Sequence, residues 1–276
     1  MKETHPRASS PRRLSLPRWL AIAGVAGMVF VLAGCATPTA PESRGAQAAD
    51  AEPMRLAATP SGPCNAKFDP AQTQYIVGYG SLMQDESRKR TAPNAGTAYP
   101  VAVKGFRRGW FAKGGTLGFD TTYLGVVPDA ASQINAVFYQ VDGPELAATD
   151  QREAIYCRLG IEAAQVRVLK ADLPAPKGQI WIYTNKADSI ATATPAYPLV
   201  QSYVDIFVSG CLEQEQRYQV AGFAQQCLKT TTDWSGHWVN DRLYPRRPFI
   251  YQPKARAIDK LLAEQLPEYF RQIRIE

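Results

Sequence analysis

A carboxylate that is to take up a proton near neutral pH needs apolar company, because burial disfavours its charged form and raises its pKa. The stretch "ATDQREAIY", residues 148–156, offers such a group. Glu153 is followed by Ala154 and Ile155. Asp150 and Glu153 stand three apart, and Glu153 and Cys157 four apart, so each pair shares a face if the segment is helical. Arg152 beside them fits a solvated face held by an ion pair, and spacing alone favours that reading. A second stretch, "YIVGYGSL", runs from an apolar segment into Gly78, Tyr79, Gly80, Ser81 and Leu82. Its readings are a dinucleotide loop, a plain turn at a strand end, or an anion cradle of consecutive backbone N–H groups.

The dinucleotide reading fails on spacing. G-x-G-x-x-G needs a third glycine where Met83 stands, and no acid lies between Glu86 and Asp120 to meet a ribose. Neither a phosphate-binding G-x-x-x-x-G-K-[ST] loop nor a G-x-S-x-G elbow occurs. The two histidines are His5 and His237, too few for a multi-histidine metal site, and no C-x-x-C pair assists. A Ser-His-Asp or Cys-His arrangement would have to rest on His237. Cys157 is arithmetically available to it, but sits in an apolar stretch that reads as a helix. His237, among aromatics, reads as a packed residue. Any chemistry therefore falls to carboxylates, and no metal or cofactor is expected.

The elements that position these residues follow a change of composition. Residues 1–34 hold Lys2, Arg7, Arg12, Arg13 and Arg18 against Glu3, most of the net charge of +6. The rest is too nearly neutral for a nucleic-acid footprint. A charge-free run from Trp19 to Gly34 is short for a membrane span and reads as a secretory signal. Residues 35–70, rich in Ala, Pro, Ser and Thr, read as a flexible tether, and residues 71–276 as one domain. Export implies oxidising conditions for Cys64, Cys157, Cys211 and Cys227. Cys211 with Cys227 is the pairing that spacing suggests, and free thiols remain the alternative.

Within the domain, "QYIVGY" and "YPVAVKGFRRGWFA" read as strands. "TTYLGVVPDAASQINAVFYQVDG" reads as two strands joined through Pro128-Asp129. Asp142 and Pro144 open a helix running toward Gly160. "QVRVLKADL" and "GQIWIYTN" read as strands. "PLVQSYVDIFVSGCLEQ" is an amphipathic helix with Leu199, Tyr203, Ile206 and Phe207 on one face. The tail is a helix interrupted at Pro267. Strands first and helices later, without βαβ alternation, indicate an α+β fold with a mostly antiparallel sheet or small barrel. "SRKR", Ser87 to Arg90, and Arg246-Arg247 read as solvated surface. Trp234, Trp238, Asn240, Asp241 and Arg242 read as a lid or a buried polar cluster.

Taken together, Tyr79-Gly80-Ser81-Leu82 after the first strand and Asp150-Gln151-Arg152-Glu153 resemble motifs of the gamma-glutamylcyclotransferase-like family, which includes the glutathione-degrading ChaC branch. "KGFRR", the "IYTN" strand and the "PLVQSYVDIFVSGC" helix extend the resemblance over residues 73–212. It implies a small, mixed, mostly antiparallel β-barrel with surrounding helices. It also implies an intramolecular attack that releases 5-oxoproline from a γ-glutamyl amine or peptide. Glu153 would be the general acid/base, and Tyr79, Gly80, Ser81 and Leu82 would hold the substrate. The family usually continues with glycine after the Glu, whereas Ala154-Ile155-Tyr156 follows here. That departure keeps a second expectation open, a non-catalytic ligand-binding lipoprotein on the same scaffold. An acyltransferase or lyase reusing the cradle is a third. Leu32-Ala33-Gly34-Cys35 resembles the lipobox of bacterial lipoproteins, which implies lipidation at Cys35. With Ala36 following, it implies anchoring in the cell envelope, at the outer membrane facing the periplasm.

Overall fold

Strand β1 (Gln74–Gly78) forms at the first apolar run of the domain, with Ile76 and Val77 fully buried on opposite faces of the sheet. The structure is a computed structural model that describes residues 63–116, 119–247 and 254–276. Residues 1–62, which include the segments expected to be a signal (1–34) and most of a tether and the expected lipidation site Cys35, lie outside the described residues. After β1 come a 3₁₀ turn (Ser81–Met83), the short helix α1 (Asp85–Lys89) and the long strands β2 (Tyr99–Thr116) and β3 (Phe119–Val141). Helix α2 (Gly143–Arg152) leads into β4 (Tyr156–Ile161), β5 (Val166–Val168) and β6 (Gln179–Asn185). Then follow β7 (Leu199–Val200), α3 (Gln201–Tyr218), α4 (Phe223–Lys229), β8 (Thr231–Thr232) and β9 (Trp238–Asn240). Helices α5 (Ala255–Gln265) and α6 (Pro267–Phe270) and strand β10 (Arg274–Ile275) close the chain.

The main sheet has the order β4-β6-β1-β3-β2-β5, with β8 added against β2. Its pairs are antiparallel except β1–β6 and β2–β8. The fold is α+β, a curled, mostly antiparallel half-barrel with helices around it. The ladder does not close, since β4 and β5 end the path. One core is built almost wholly from strands, among them Val77, Val103, Phe138 and Ile182, with Tyr79 added from the turn after β1. The other packs the opposite face, through Ile76, Trp110 and Tyr139, against α3, α4 and α5.

Several local expectations change. The segment with Pro128-Asp129 is not a turn between two strands. Lys104 pairs with Gln133 and Phe106 with Pro128, so residues 129–132 bulge opposite Gly105 alone, within the one strand β3. Gly105 has φ +87°, which only glycine adopts without strain. The Asp129 carboxylate accepts from Ala131 N and Ser132 Oγ and so organises the bulge. The bend brings the far half of the ribbon over the β4–β6 end, where the Tyr156 hydroxyl donates to Leu124 O at 2.7 Å. Helix α2 stops at Arg152, and Tyr156–Ile161 is strand, because pairing with β6 overrides helical spacing. Helix α3 is buried on every side from Gln201 to Cys211, including Asp205, rather than on one stripe. Arg88, expected in solvent, is buried over the Tyr139 ring and donates to Leu82 O at 3.1 Å.

The cysteines pair as Cys64–Cys157 and Cys211–Cys227. The first bridge, with Asn65 N donating to Arg158 O at 3.1 Å, fastens the chain to β4 ahead of residue 71. Of the C-terminal cluster, Arg242 joins the buried Asp205 (2.7 Å) to Asp259 (2.8 Å). Asp241 accepts from Ser202 N and Oγ at 2.7 and 2.6 Å. Trp234 and Trp238 stack with centroids 5.4 Å apart.

Candidate active site

Helix α2 begins at a reciprocal capping box. Glu145 N donates to Asp142 Oδ1 (2.8 Å) and Asp142 N to Glu145 Oε2 (3.4 Å), with Pro144 in the first turn. This start sets the register that brings Glu153 to the helix end. Glu153 N still bonds Thr149 O (2.9 Å), and Tyr156 N bonds Glu153 O (2.8 Å) as the chain turns into β4. The Glu153 side chain, 14% exposed, points into a pocket of about 120 Å³. Ser81, Gly114, Tyr123, Arg152, Tyr156, Tyr203 and Arg247 also line it.

The turn after β1 forms the narrow inner part of this space, where Tyr79, Gly80, Ser81 and Leu82 meet Glu153, Tyr156 and Tyr203. Gly78 is required by the tightness of the turn, since a Cβ there would lie 2.9 Å from the Leu82 Cβ. At Gly80 a Cβ would stand 3.1 Å from the Tyr203 hydroxyl. Met83 N closes the turn on Gly80 O at 3.0 Å. The N–H groups of Ser81 and Leu82 find no acceptor among the described residues. Below the turn, the buried Arg108 donates to Tyr79 O (3.0 Å), to Asn135 O and Oδ1 (2.8 and 2.9 Å), to Cys227 O (2.8 Å) and to the hydroxyls of Thr230 and Thr231.

Burial pushes the Glu153 carboxyl above its ordinary value, against the opposing pull of Arg152 and then Arg247. Arg152 Nε lies 3.1 Å from Glu153 Oε1. The rest of its guanidinium is committed to Ser87 O (2.6 Å), Thr91 Oγ1 (3.2 Å), Ser81 Oγ (3.0 Å) and Ser87 Oγ (2.9 Å). Burial also keeps the surrounding phenols protonated. Tyr79 and Tyr156 are pushed well up, and Tyr203 to about 12. Tyr79 donates to Tyr183 O at 2.6 Å. The site therefore combines a carboxylate able to take a proton, free N–H donors and two guanidinium groups.

The structure brings Glu153 together with Tyr79, Gly80, Ser81 and Leu82. It leaves Asp150 out of the pocket, where it accepts from Arg158 Nε and the Tyr183 hydroxyl, both at 2.8 Å. Cys157 is bridged to Cys64 and His237 is exposed, so the Cys-His arrangement falls. Arg247, taken from the sequence as solvated, lines the pocket, as do Tyr123, Tyr156 and Tyr203. An Arg pair beside a proline carries no local mark of such a role, and long-range packing alone places it. Groups of three or more His, Cys, Asp or Glu able to hold a metal are absent among the described residues. No helix among them is long and apolar enough to cross a membrane.

No protein-family model matches the chain, and no curated protein does. Solved structures do match. One is a gamma-glutamyl cyclotransferase, at 11% identity and TM-score 0.45 over 70% of this chain and 99% of the other. An uncharacterized protein from Homo sapiens matches at 12% and 0.45, over 59% and 91%. A glutathione-specific gamma-glutamyl cyclotransferase from yeast matches at 12% and 0.36, over 70% and 97%. At such identities and scores, nothing about the chemistry of this chain follows from these likenesses.

Proposed function

We propose that the chain is a γ-glutamyl cyclotransferase. One observation carries the reading: a carboxylate raised by burial, Glu153, shares a pocket with a turn whose Ser81 and Leu82 N–H groups are free to bind an anion. The residue pattern around Tyr79–Leu82 and Glu153 supports it. In the reaction the substrate's α-carboxylate sits on the turn, and its α-ammonium gives a proton to Glu153. The freed amine attacks the γ-carbonyl carbon of the same molecule, so proximity supplies much of the acceleration. A C–N bond forms, the original γ-amide C–N bond breaks, Glu153 returns the proton to the departing nitrogen, and the attacking nitrogen's second proton is released to water or to the freed amine as the lactam forms. The products are 5-oxoproline and a free amine.

A second reading, a binding module without turnover, draws on the Arg152–Glu153 pair, which opposes proton uptake by the carboxylate. Incubation of residues 36–276 with γ-glutamyl compounds, with 5-oxoproline measured by mass spectrometry, separates the two. Product from the wild type and none from Glu153→Gln is expected. Binding without product would favour the module. Lipidation at Cys35 and a place in the cell envelope belong to the same proposal, supported by two disulfides of a kind rare in reducing compartments. Membrane fractionation of the full chain and of Cys35→Ala tests it, with loss of membrane association expected in the variant.

A further inference from the structure

The two guanidinium groups at the pocket are not equivalent. Arg152 is used up by its protein partners. Arg247 is not. Its backbone N–H is tied to Ser202 Oγ at 3.1 Å, which fixes its position at the pocket wall. Its guanidinium lies over the Tyr123 ring, 5.4 Å from the centroid, with only a long 3.5 Å contact from Nη1 to the Tyr123 hydroxyl. Its Nε is buried with no hydrogen-bond partner among the described residues. No carboxylate among them lies within ion-pair distance of it, although its charge reaches Glu153 across the pocket. A half-buried guanidinium with spare donors is matched by an anion, above all a carboxylate.

Its place in the pocket says which carboxylate. The inner part, lined by Tyr79–Leu82, and the wider outer part, lined by Gly114, Tyr123, Ile155 and Arg247, meet at Ser81, Glu153, Tyr156 and Tyr203. With the glutamyl carboxylate on the turn and its amine at Glu153, the leaving group extends outward toward Arg247. We propose that Arg247 binds a carboxylate on the leaving group, so that the preferred substrates are γ-glutamyl α-amino acids rather than γ-glutamylamines. The proposal rests on the cyclotransferase reading for the direction in which the substrate lies. It also gives the segment after residue 212, outside the family resemblance, a part in selectivity.

γ-Glutamylalanine and γ-glutamylalaninamide differ only in that carboxylate and test the proposal. kcat/KM for 5-oxoproline release and calorimetric Kd are measured for both with the wild type, Arg247→Gln and Arg247→Lys. The wild type should favour the acid by at least about tenfold, the scale of one charge-assisted hydrogen bond. Arg247→Gln also removes a charge that acts on Glu153, so both compounds can lose activity, but it should erase the preference by weakening the acid far more than the amide, and Arg247→Lys should restore part of it. Equal losses on both compounds, or a preference that survives Arg247→Gln, would overturn the proposal. If neither compound yields 5-oxoproline, the cyclotransferase reading fails. Tighter binding of the acid, lost in Arg247→Gln, would still support the clamp, and equal binding would overturn it too.

Discussion

Glu153 stands where burial and two positive side chains pull its proton affinity in opposite directions, and burial wins. The consequence for stability has a definite sign. Between the ordinary carboxylate value and the raised one, the native state keeps a proton that the unfolded chain has released. Stability contributed by this group therefore falls as pH rises through that window, and the cost of the buried charge is complete above it. Glu153→Gln should flatten that dependence and melt no lower than the wild type at neutral pH, as scanning calorimetry across pH would show. In the wild type, kcat/KM should rise with pH through the raised value, because only the ionised carboxylate accepts the proton. At this scale the sequence was informative where the chemistry is local. Glu153 with its apolar neighbours and the glycine-flanked turn are visible in a few residues. Arg247 is not, since its environment comes from β3 and α3. Nor is Asp150, whose part is decided by Arg158 and Tyr183.

The elements carry the site through a few close approaches. Gly210 of α3 lies against the residues that follow the turn. A Cβ there would come within 2.6 Å of Gln84 N and 2.8 Å of the Met83 backbone. Helix propensity alone favours Gly210→Ala by about 1 kcal/mol. Overpacking against backbone opposes it by about 1–3 kcal/mol, and because neither contact is a movable side-chain tip, overpacking should win. A lower denaturation midpoint and a higher KM are expected, and a stabilised variant with unchanged KM would refute the argument. Strand β1, the cap at Asp142 and the break at Pro267 were legible because each has a local cause. Strand β4 was not, because "YCRLG" continues a helical pattern and becomes strand only by pairing with β6. The bulge in β3 was read as a turn for a related reason. Proline and aspartate mark a change of direction, but not whether the strand resumes.

Across the whole molecule, the C-terminal segment and the disulfides determine how firmly the pocket is assembled. Strand β10 pairs with β9, and Glu276 holds Arg246, the neighbour of Arg247. Deleting residues 274–276 should raise KM several-fold with a smaller change in kcat, on the scale of an exposed ion pair and a short strand pairing. An unchanged KM would show that Arg247 is placed without this support. Reducing the bridges should lower stability by about 2–4 kcal/mol for each, as chemical denaturation with and without reductant would measure. The fold class was legible as a pattern of strands followed by helices. Of the bridges, Cys211 with Cys227 was legible from spacing, whereas Cys64 with Cys157 was not, because they are 93 residues apart. The Cys64–Cys157 bridge also has a mechanical side. Tyr79, Gly80, Ser81, Leu82 and Glu153 all lie between its two cysteines. Tension applied at the two ends of the chain would pass from Cys64 through the sulfur bond into Cys157, leaving the enclosed segment unstretched. A force able to unravel the chain beyond β4, Arg247 included, could not draw out the turn or the helix that carries Glu153 while that bond holds.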